Sequence, residues 1–577
     1  MPDRLTPMTT RLVQFLSLVL LLPVNAPAQE GSNAPSPTIK VTTHLVQVDV
    51  VVTNGKGEPV PGLTLDDFTI LEDGKPQKLA SFTAHGTGTG ASSSAAEKAR
   101  SLPPGVFSNR GVKNDEGAIT IILLDALNTP MLDQAYTREQ MLKYVKTQHQ
   151  SAQRTAILGL TNNLLLLQDL TDDPKLLTAA IAKRAPAYSA LLNDPDLDRM
   201  EIRNAPPQVV QSLERFEQEL TAQRTDMRVQ TTFASMQLIA RAYGGIPGRK
   251  NLIWVSAAFP LMLAPDQINS LSSRYYGEEL RRTASMLERA QIAVYPVDAR
   301  GLMGPAGATF TGRDRGGSLM SGPELSTELA NRANLLTSSH GAMQEIAEQT
   351  GGRAYYNRND IDRAVALAIA DGSSYYALSY YPDNKDWNGK YRKISVKVSR
   401  EGVRLRHRRG YLASDLTRSK EPKGQGKREI EAALADPILQ TMIGLEGAVI
   451  STNERAGVAS SPQAAASSVS SGKRTVRVGF KVDPLGVSFE DTQDGLHSCS
   501  LELVAAAFDE SSKIVGQISE TLEGKLKPET YNRLMQQGFV FNTNLELPSR
   551  FTRLRLLVRD NRTGLIGTLD IPYTATN

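Results

Sequence analysis

The chain has 577 residues, enough for about three or four domains at ~150 residues each. Hydrophobic residues make up 40% and charged residues 22%, the balance of a globular protein with ample core. A net charge of +4 is too even to argue for nucleic acid as a partner.

The N-terminus carries Arg4 and Arg11, then VQFLSLVLLLPV, then Ala26-Pro27-Ala28. A positive stretch, an apolar stretch and an Ala-x-Ala site read as a signal peptide over residues 1–28. The other reading is an uncleaved anchor, but the apolar run is short of the ~20 residues a span needs. No Cys follows it, so a lipid anchor is not expected, and no later stretch is long and apolar enough to span. The expected location is therefore exported, periplasmic or extracellular, with no membrane span after cleavage. Cys499 is the only cysteine, so the domains must be large enough to fold without disulfides. It sits in HSCSLELVAAAF and reads as a small buried core residue.

Residues 29–39 are polar and Pro-rich, a flexible leader. VTTHLVQVDVVVT alternates as a half-buried strand does, and FTILEDGKPQ holds a hairpin signal at Asp73-Gly74. Residues 40–85 thus form an N-terminal β segment, about half of an ordinary sandwich. Residues 86–116, with GTGTGASSSAAEKARSLPPG, read as a linker.

From 117 to 372 strands alternate with helices. ITIILLD, TAILGL, LLLLQDL, NLIWVS, AVYPVD and, after the Gly351-Gly352 stop, RAYY are the strands. Helical stretches lie between, including TDDPKLLTAAIAKR with Thr171 or Asp172 as N-cap and a long one over 207–243. That order predicts an α/β fold, a doubly wound, mostly parallel sheet. Residues 373–412 return to β structure and are expected either to complete a sandwich with 40–85 or to form a separate small unit. Three or four strands alone are marginal, which favours the joint arrangement. A linker with a short helix spans 413–473, and 474–577 reads as a C-terminal β-sandwich.

ITIILLDALNTP runs an apolar strand into Asp125. Ligands of open α/β sheets sit at the carboxyl ends of strands. Asp125 is thus a metal ligand, a catalytic group or an acid bonded to loop amides. IILLDALNTP, LQDLTDDPKLL, NLIWVSAAFP and AQIAVYPVDARGL together resemble the von Willebrand factor type A domain. With VPGLTLDDFTILEDGKPQ before and YYALSYYP and RRGYLA after, the chain resembles the VWFA-related domain found in predicted exported proteins of Acidobacteria. The resemblance covers roughly residues 40–412.

It implies a type A-like domain with a non-enzymatic, extracellular protein-binding or adhesion role. It also implies a Mg²⁺ site of the form Asp-x-Ser-x-Ser, with a loop Thr and a further Asp. The candidate metal ligands are Asp125, Thr129 and Thr171. Leu127 stands where a Ser ligand belongs, and Ser256, Ala257 and Ala258 occupy the region of the missing Asp. Mg²⁺ demands an oxygen octahedron, so a depleted set holds it poorly. The residues favour Asp125 as an acid tied to its loop.

No other catalytic chemistry stands out. The six histidines show no HExxH spacing, and there is no GxSxG elbow or GxxxxGK[ST] loop. Asp298 in YPVDARG reads as a residue fixing the turn at Gly301. RLRHRRG (404–410) reads as a solvated strand face, with contact to an anionic envelope polymer as the alternative. The Gly-rich stretch 301–338 reads as a long loop, either disordered or functional, and in the second case contacting a partner. The expectation is protein binding through the carboxyl edge of the sheet. The alternative is a structural or assembly module of the cell envelope acting through its β domains.

Overall fold

The computed structural model describes residues 45–86, 102–110, 118–147, 154–183, 189–192, 206–257, 276–301, 322–414, 424–451, 473–492, 494–548 and 551–573. The signal-like segment and leader lie outside them. The chain begins with β1 (Val46–Thr53), β2 (Phe68–Glu72), β3 (Lys75–Gln77), β4 (Leu79–His85) and β5 (Val106–Ser108). A central block follows with β6 (Ile119–Asp125), α1 (Met131–Thr147), β7 (Thr155–Leu160), β8 (Leu164–Thr171), α2 (Pro174–Lys183) and α3 (Pro207–Tyr243). It continues with β9 (Lys250–Ser256), α4 (Gly277–Arg289), β10 (Ile292–Asp298), α5 (Gly322–Thr350) and α6 (Ile361–Ser373). Then come β11 (Tyr375–Tyr380), β12 (Asn388–Val398), β13 (Arg404–Arg406) and β14 (Gly410–Ser414). The last part holds α7 (Gln425–Ala435), β15 (Leu445–Ser451), β16 (Lys473–Val482), β17 (Glu490–Asp491), β18 (His497–Phe508) and β19 (Ile514–Leu526). It ends with α8 (Pro528–Gln537), β20 (Phe539–Pro548), β21 (Arg553–Asp560) and β22 (Ile566–Pro572).

The central sheet has the order β10-β9-β6-β7-β8. β6, β7, β9 and β10 are parallel, and β8 returns antiparallel along β7. β6, β9 and β10 are near-continuous apolar runs because helices cover both of their faces. On one face Leu123, Leu252, Trp254 and Val294 pack with Phe233, Met236 and Ile239 of α3, Leu287 of α4 and Ile346 of α5. On the other, Ile122, Ile253, Val255 and Tyr295 pack with Tyr144 of α1, Ile181 of α2 and Val365 of α6. Each fully buried aliphatic side chain contributes roughly 1.5–3 kcal/mol.

Strands from both flanks of this block interleave. One sheet is β13-β1-β11-β4 and a second is β14-β12-β2-β3. Their inner faces meet in one core that includes Val48, Val50, Ile70, Tyr376, Leu378 and Ile394. The hairpin at Asp73 and Gly74 forms as expected, with both residues at positive φ, the geometry of a two-residue turn. Ser374 Oγ donates to the Gly86 carbonyl at 2.8 Å, so the chain leaves and re-enters the sandwich at neighbouring points.

Glu72 lies buried at the centre. It accepts from Arg392 at 3.0 Å and from the hydroxyls of Tyr380 and Tyr411 at 2.8 Å each. One carboxylate from the N-terminal flank thus fixes three residues of the C-terminal flank.

Several expectations need correction. Residues 86–116 are more than a linker: β5 pairs with β15, which itself lies within the expected linker 413–473. The C-terminal sandwich therefore gains two strands beyond 474–577, giving sheets β20-β16-β15-β5 and β17-β18-β21-β22, with β19 paired to β18. β15 was hidden by Gly447, which has a weak strand propensity. A Cβ there would lie 2.5 Å from Leu556 Cδ1, so a larger residue would have to push that side chain aside.

The stretch 301–338 is not one long loop, because α5 begins at Gly322 with Pro323 in its first turn; residues 302–321 lie outside the described ones. α2 is led by Asp173, whose Oδ1 accepts from Lys175 N at 2.8 Å, rather than by Thr171 or Asp172. The basic run is a solvated face only at Arg404 and Arg409, which are exposed. Arg408 pairs with Glu288 at 3.3 Å with 13% of its side chain exposed, and Arg406 pairs with Asp371. Cys499 is buried, and burial pushes its thiol up to about 11. Among the described residues no helix is long and apolar enough to cross a membrane.

Candidate functional site

β6, β9 and β10 end side by side at Asp125, Ser256 and Asp298. Asp125 is 3% exposed. Its Oδ1 accepts from the Asn128 amide at 2.9 Å. Its Oδ2 accepts from Asn128 Nδ2 at 2.9 Å, Trp254 Nε1 at 3.0 Å and Ser256 Oγ at 2.7 Å. Burial raises the Asp125 pKa, and these donors oppose the rise. Asn128 Nδ2 also donates to Thr232 Oγ1 on α3 at 2.9 Å, tying the loop to that helix. Thr129 Oγ1 accepts from the Ala257 amide at 3.0 Å, joining the first loop to the end of β9.

Asp125 and Thr129 thus share one edge, whereas Thr171 does not. Thr171 pairs with Thr155 at the start of β7, while Asp125 pairs with Leu160 at its end. At ~3.3 Å per residue the two are offset by about 16 Å along the strand direction alone. The cause is the antiparallel return of β8, which carries its last residue to the opposite edge.

These residues do not fit a Mg²⁺ ion. A carboxylate has about four acceptor positions, and those of Asp125 are engaged by four protein donors. Leu127 is fully buried in the core beneath. Among the described residues no group of three or more His, Cys, Asp or Glu is arranged to hold a metal.

Asp298 anchors a second cluster. Its Oδ1 accepts from Arg300 N at 3.0 Å and Nε at 2.9 Å, and its Oδ2 from Arg300 Nη2 at 2.7 Å. The turn role expected of it is realised, with Gly301 at positive φ. Oδ2 also meets His340 Nε2 at 2.8 Å, and that ring stacks on Tyr356 at 4.4 Å between centroids. Burial works to raise the Asp298 pKa, but His340 and Arg300 outweigh it and hold the carboxyl below its ordinary value. Sequence reasoning missed His340, Trp254 and Ser256 as partners. The apolar run NLIWVS shows where the last two sit, but nothing in it marks them as donors to an acid more than a hundred residues earlier.

Outside this polar layer, the first turn of α1 projects into solvent. Met131 is 48% exposed and Leu132 79%.

No protein-family model matches the chain, and no curated protein matches it. Similar solved structures include an aerotolerance-related membrane protein from Bacteroides fragilis with multiple mutations to serines. It is 15% identical, with 44% of this chain and 98% of that one covered, at a TM-score of 0.23. The conserved hypothetical protein BatB from Bacteroides thetaiotaomicron is 13% identical, with 44% and 98% covered, at a TM-score of 0.24. A PilB minor pilin from Streptococcus sanguinis is 9% identical, with 45% and 62% covered, at a TM-score of 0.23. Likeness at these scores carries no argument about function.

Proposed function

We propose that the chain is an exported, non-enzymatic binding protein whose type A-like α/β unit holds a protein partner at the carboxyl edge of its sheet, without a metal. The observation that carries this is the pairing of a locked loop with an exposed apolar tip. Asp125 clamps the loop from Asn128 through Ser256 and Trp254, and the chain then presents Met131 and Leu132 to solvent. A rigid loop that offers apolar surface loses little entropy when it binds. The sheet order with its one antiparallel edge strand supports the type A-like reading, and the N-terminal pattern supports export.

A second reading is an envelope assembly module acting through its β domains. It rests on Val540 at 66% and Ile450 at 45% exposure on the C-terminal sandwich.

Leu132→Asp tests the first reading, because it changes a solvated residue and leaves the fold intact. Affinity capture from the envelope fraction of the source cells should lose its bound protein in this variant. Undiminished capture by Leu132→Asp, with loss in Val540→Asp, would transfer the function to the β domains.

A further inference from the structure

Gly352 to Tyr356 run along the open side of β10. Tyr355 N donates to the Pro296 carbonyl, and the Tyr355 carbonyl accepts from Asp298 N, both at 2.8 Å. Tyr355 bridges Val297 in parallel fashion. Gly352 is required for this approach, since a Cβ there would lie 1.9 Å from the Val294 carbonyl. Alternate residues of an extended segment aim their backbone groups to opposite sides. With Tyr355 bonded to β10, the amides of Ala354 and Tyr356 face away from the sheet. This segment lines a cleft of about 820 Å³ together with the end of α5 and the stretch Leu405 to Arg409.

The cleft is lined by Arg353, Arg358, Arg406 and Arg409 against one carboxylate, Glu348. Arg353 has no carboxylate partner among the described residues, and its guanidinium lies over the Tyr355 ring at 5.3 Å. Arg406 Nε is buried without a hydrogen-bond partner, although its Nη2 meets Asp371. Arg358 pairs with Asp360 at 2.7 Å, and Arg409 pairs with Glu345 at 3.3 Å and also with Glu348, in part-exposed pairs. Such exposed pairs are worth little, so an incoming carboxylate can replace the internal one.

We infer that this cleft binds an acidic segment of a partner protein, extended and paired as an added strand on the Arg353–Tyr356 edge. The edge supplies main-chain hydrogen bonds, and alternate side chains of the added strand meet the arginines. Arginine recognises carboxylates through paired, charge-assisted bonds, and Arg and Tyr are favoured anchors of protein interfaces. The cleft adjoins the Asp298 cluster through Tyr356, which stacks on His340, and its lining does not include Met131 or Leu132.

The test is fluorescence anisotropy with the full chain and a fluorescein-labelled peptide of alternating glutamate and valine. Saturable, salt-sensitive binding is expected. It should weaken about tenfold in Arg353→Ala, the loss of one charged contact, and by a similar factor when alternate amides of the peptide are N-methylated. Leu132→Asp should bind the peptide unchanged, which separates this site from the carboxyl edge. A peptide of alternating lysine and valine should not bind. Absence of saturable binding, or equal binding in Arg353→Ala, would overturn the inference. Insensitivity to N-methylation, with polygalacturonate competing as well as the free peptide, would reassign the cleft to an anionic polysaccharide and also overturn it.

Discussion

Both oxygens of Asp125 are taken by donors from a loop and from β9, so the acid acts as a clasp between strand ends. A second buried charge has a different consequence. Lys250 starts β9 with its side chain buried and its Nζ bonded to the Ile246 carbonyl. Burial lowers its pKa to about 7, with nearby Asp49 opposing. Between about 7 and the ordinary 10.5 the unfolded chain binds this proton and the folded chain does not. Stability contributed by this residue must therefore rise with pH across that window, by a few kcal/mol. Urea unfolding of the native chain and of Lys250→Met at successive pH values measures it. The native chain should gain stability relative to the variant as pH rises from neutral. A constant difference would show that Lys250 stays charged in the fold.

The strand pairs around Glu72 show what binds the two flanks. Arg392 and Glu72 are each about 3% exposed, so the pair is desolvated and held by the two tyrosine hydroxyls. Glu72→Leu leaves Arg392 as a lone buried charge and should cost about 3–5 kcal/mol in urea unfolding. Adding Arg392→Met should restore most of that loss. A loss below about 1 kcal/mol in the single variant would mean water reaches the pair.

Much of this level could be read from residue order. The Asp73-Gly74 hairpin, the alternation of β1 and the apolar runs of β6, β9 and β10 follow from local chemistry. β5 and β15 could not be read, because three residues and a glycine-bearing strand give no periodic signal. Their pairing depends on a sandwich assembled from distant segments. The site was legible as an acid at a strand end with Thr129 four residues on. Its donors Trp254 and Ser256 arrive through the parallel register of β9, and Thr171 was misplaced because the direction of β8 decides which edge it reaches.

At the scale of the molecule, the α/β block is inserted into one sandwich and clasped to the next. Thr441 N donates to the Arg241 carbonyl, and Thr441 Oγ1 donates to the Ala242 carbonyl and accepts from Gly245 N. A Cβ on Gly245 would lie 1.6 Å from the Thr441 carbonyl, so only glycine permits this contact. These contacts fall at the amino edge of the sheet, just before β9 begins at Lys250, and leave the carboxyl edge uncovered by Thr441; binding at that carboxyl edge without a metal is the central proposal. Calorimetric titration of Mg²⁺ and Mn²⁺ into the chain, repeated with Asp125→Asn, tests it most directly. No saturable heat at millimolar metal is the expected result. Saturable binding that Asp125→Asn abolishes would contradict it, and would mean that the Asn128, Trp254 and Ser256 donors yield Asp125 to the ion.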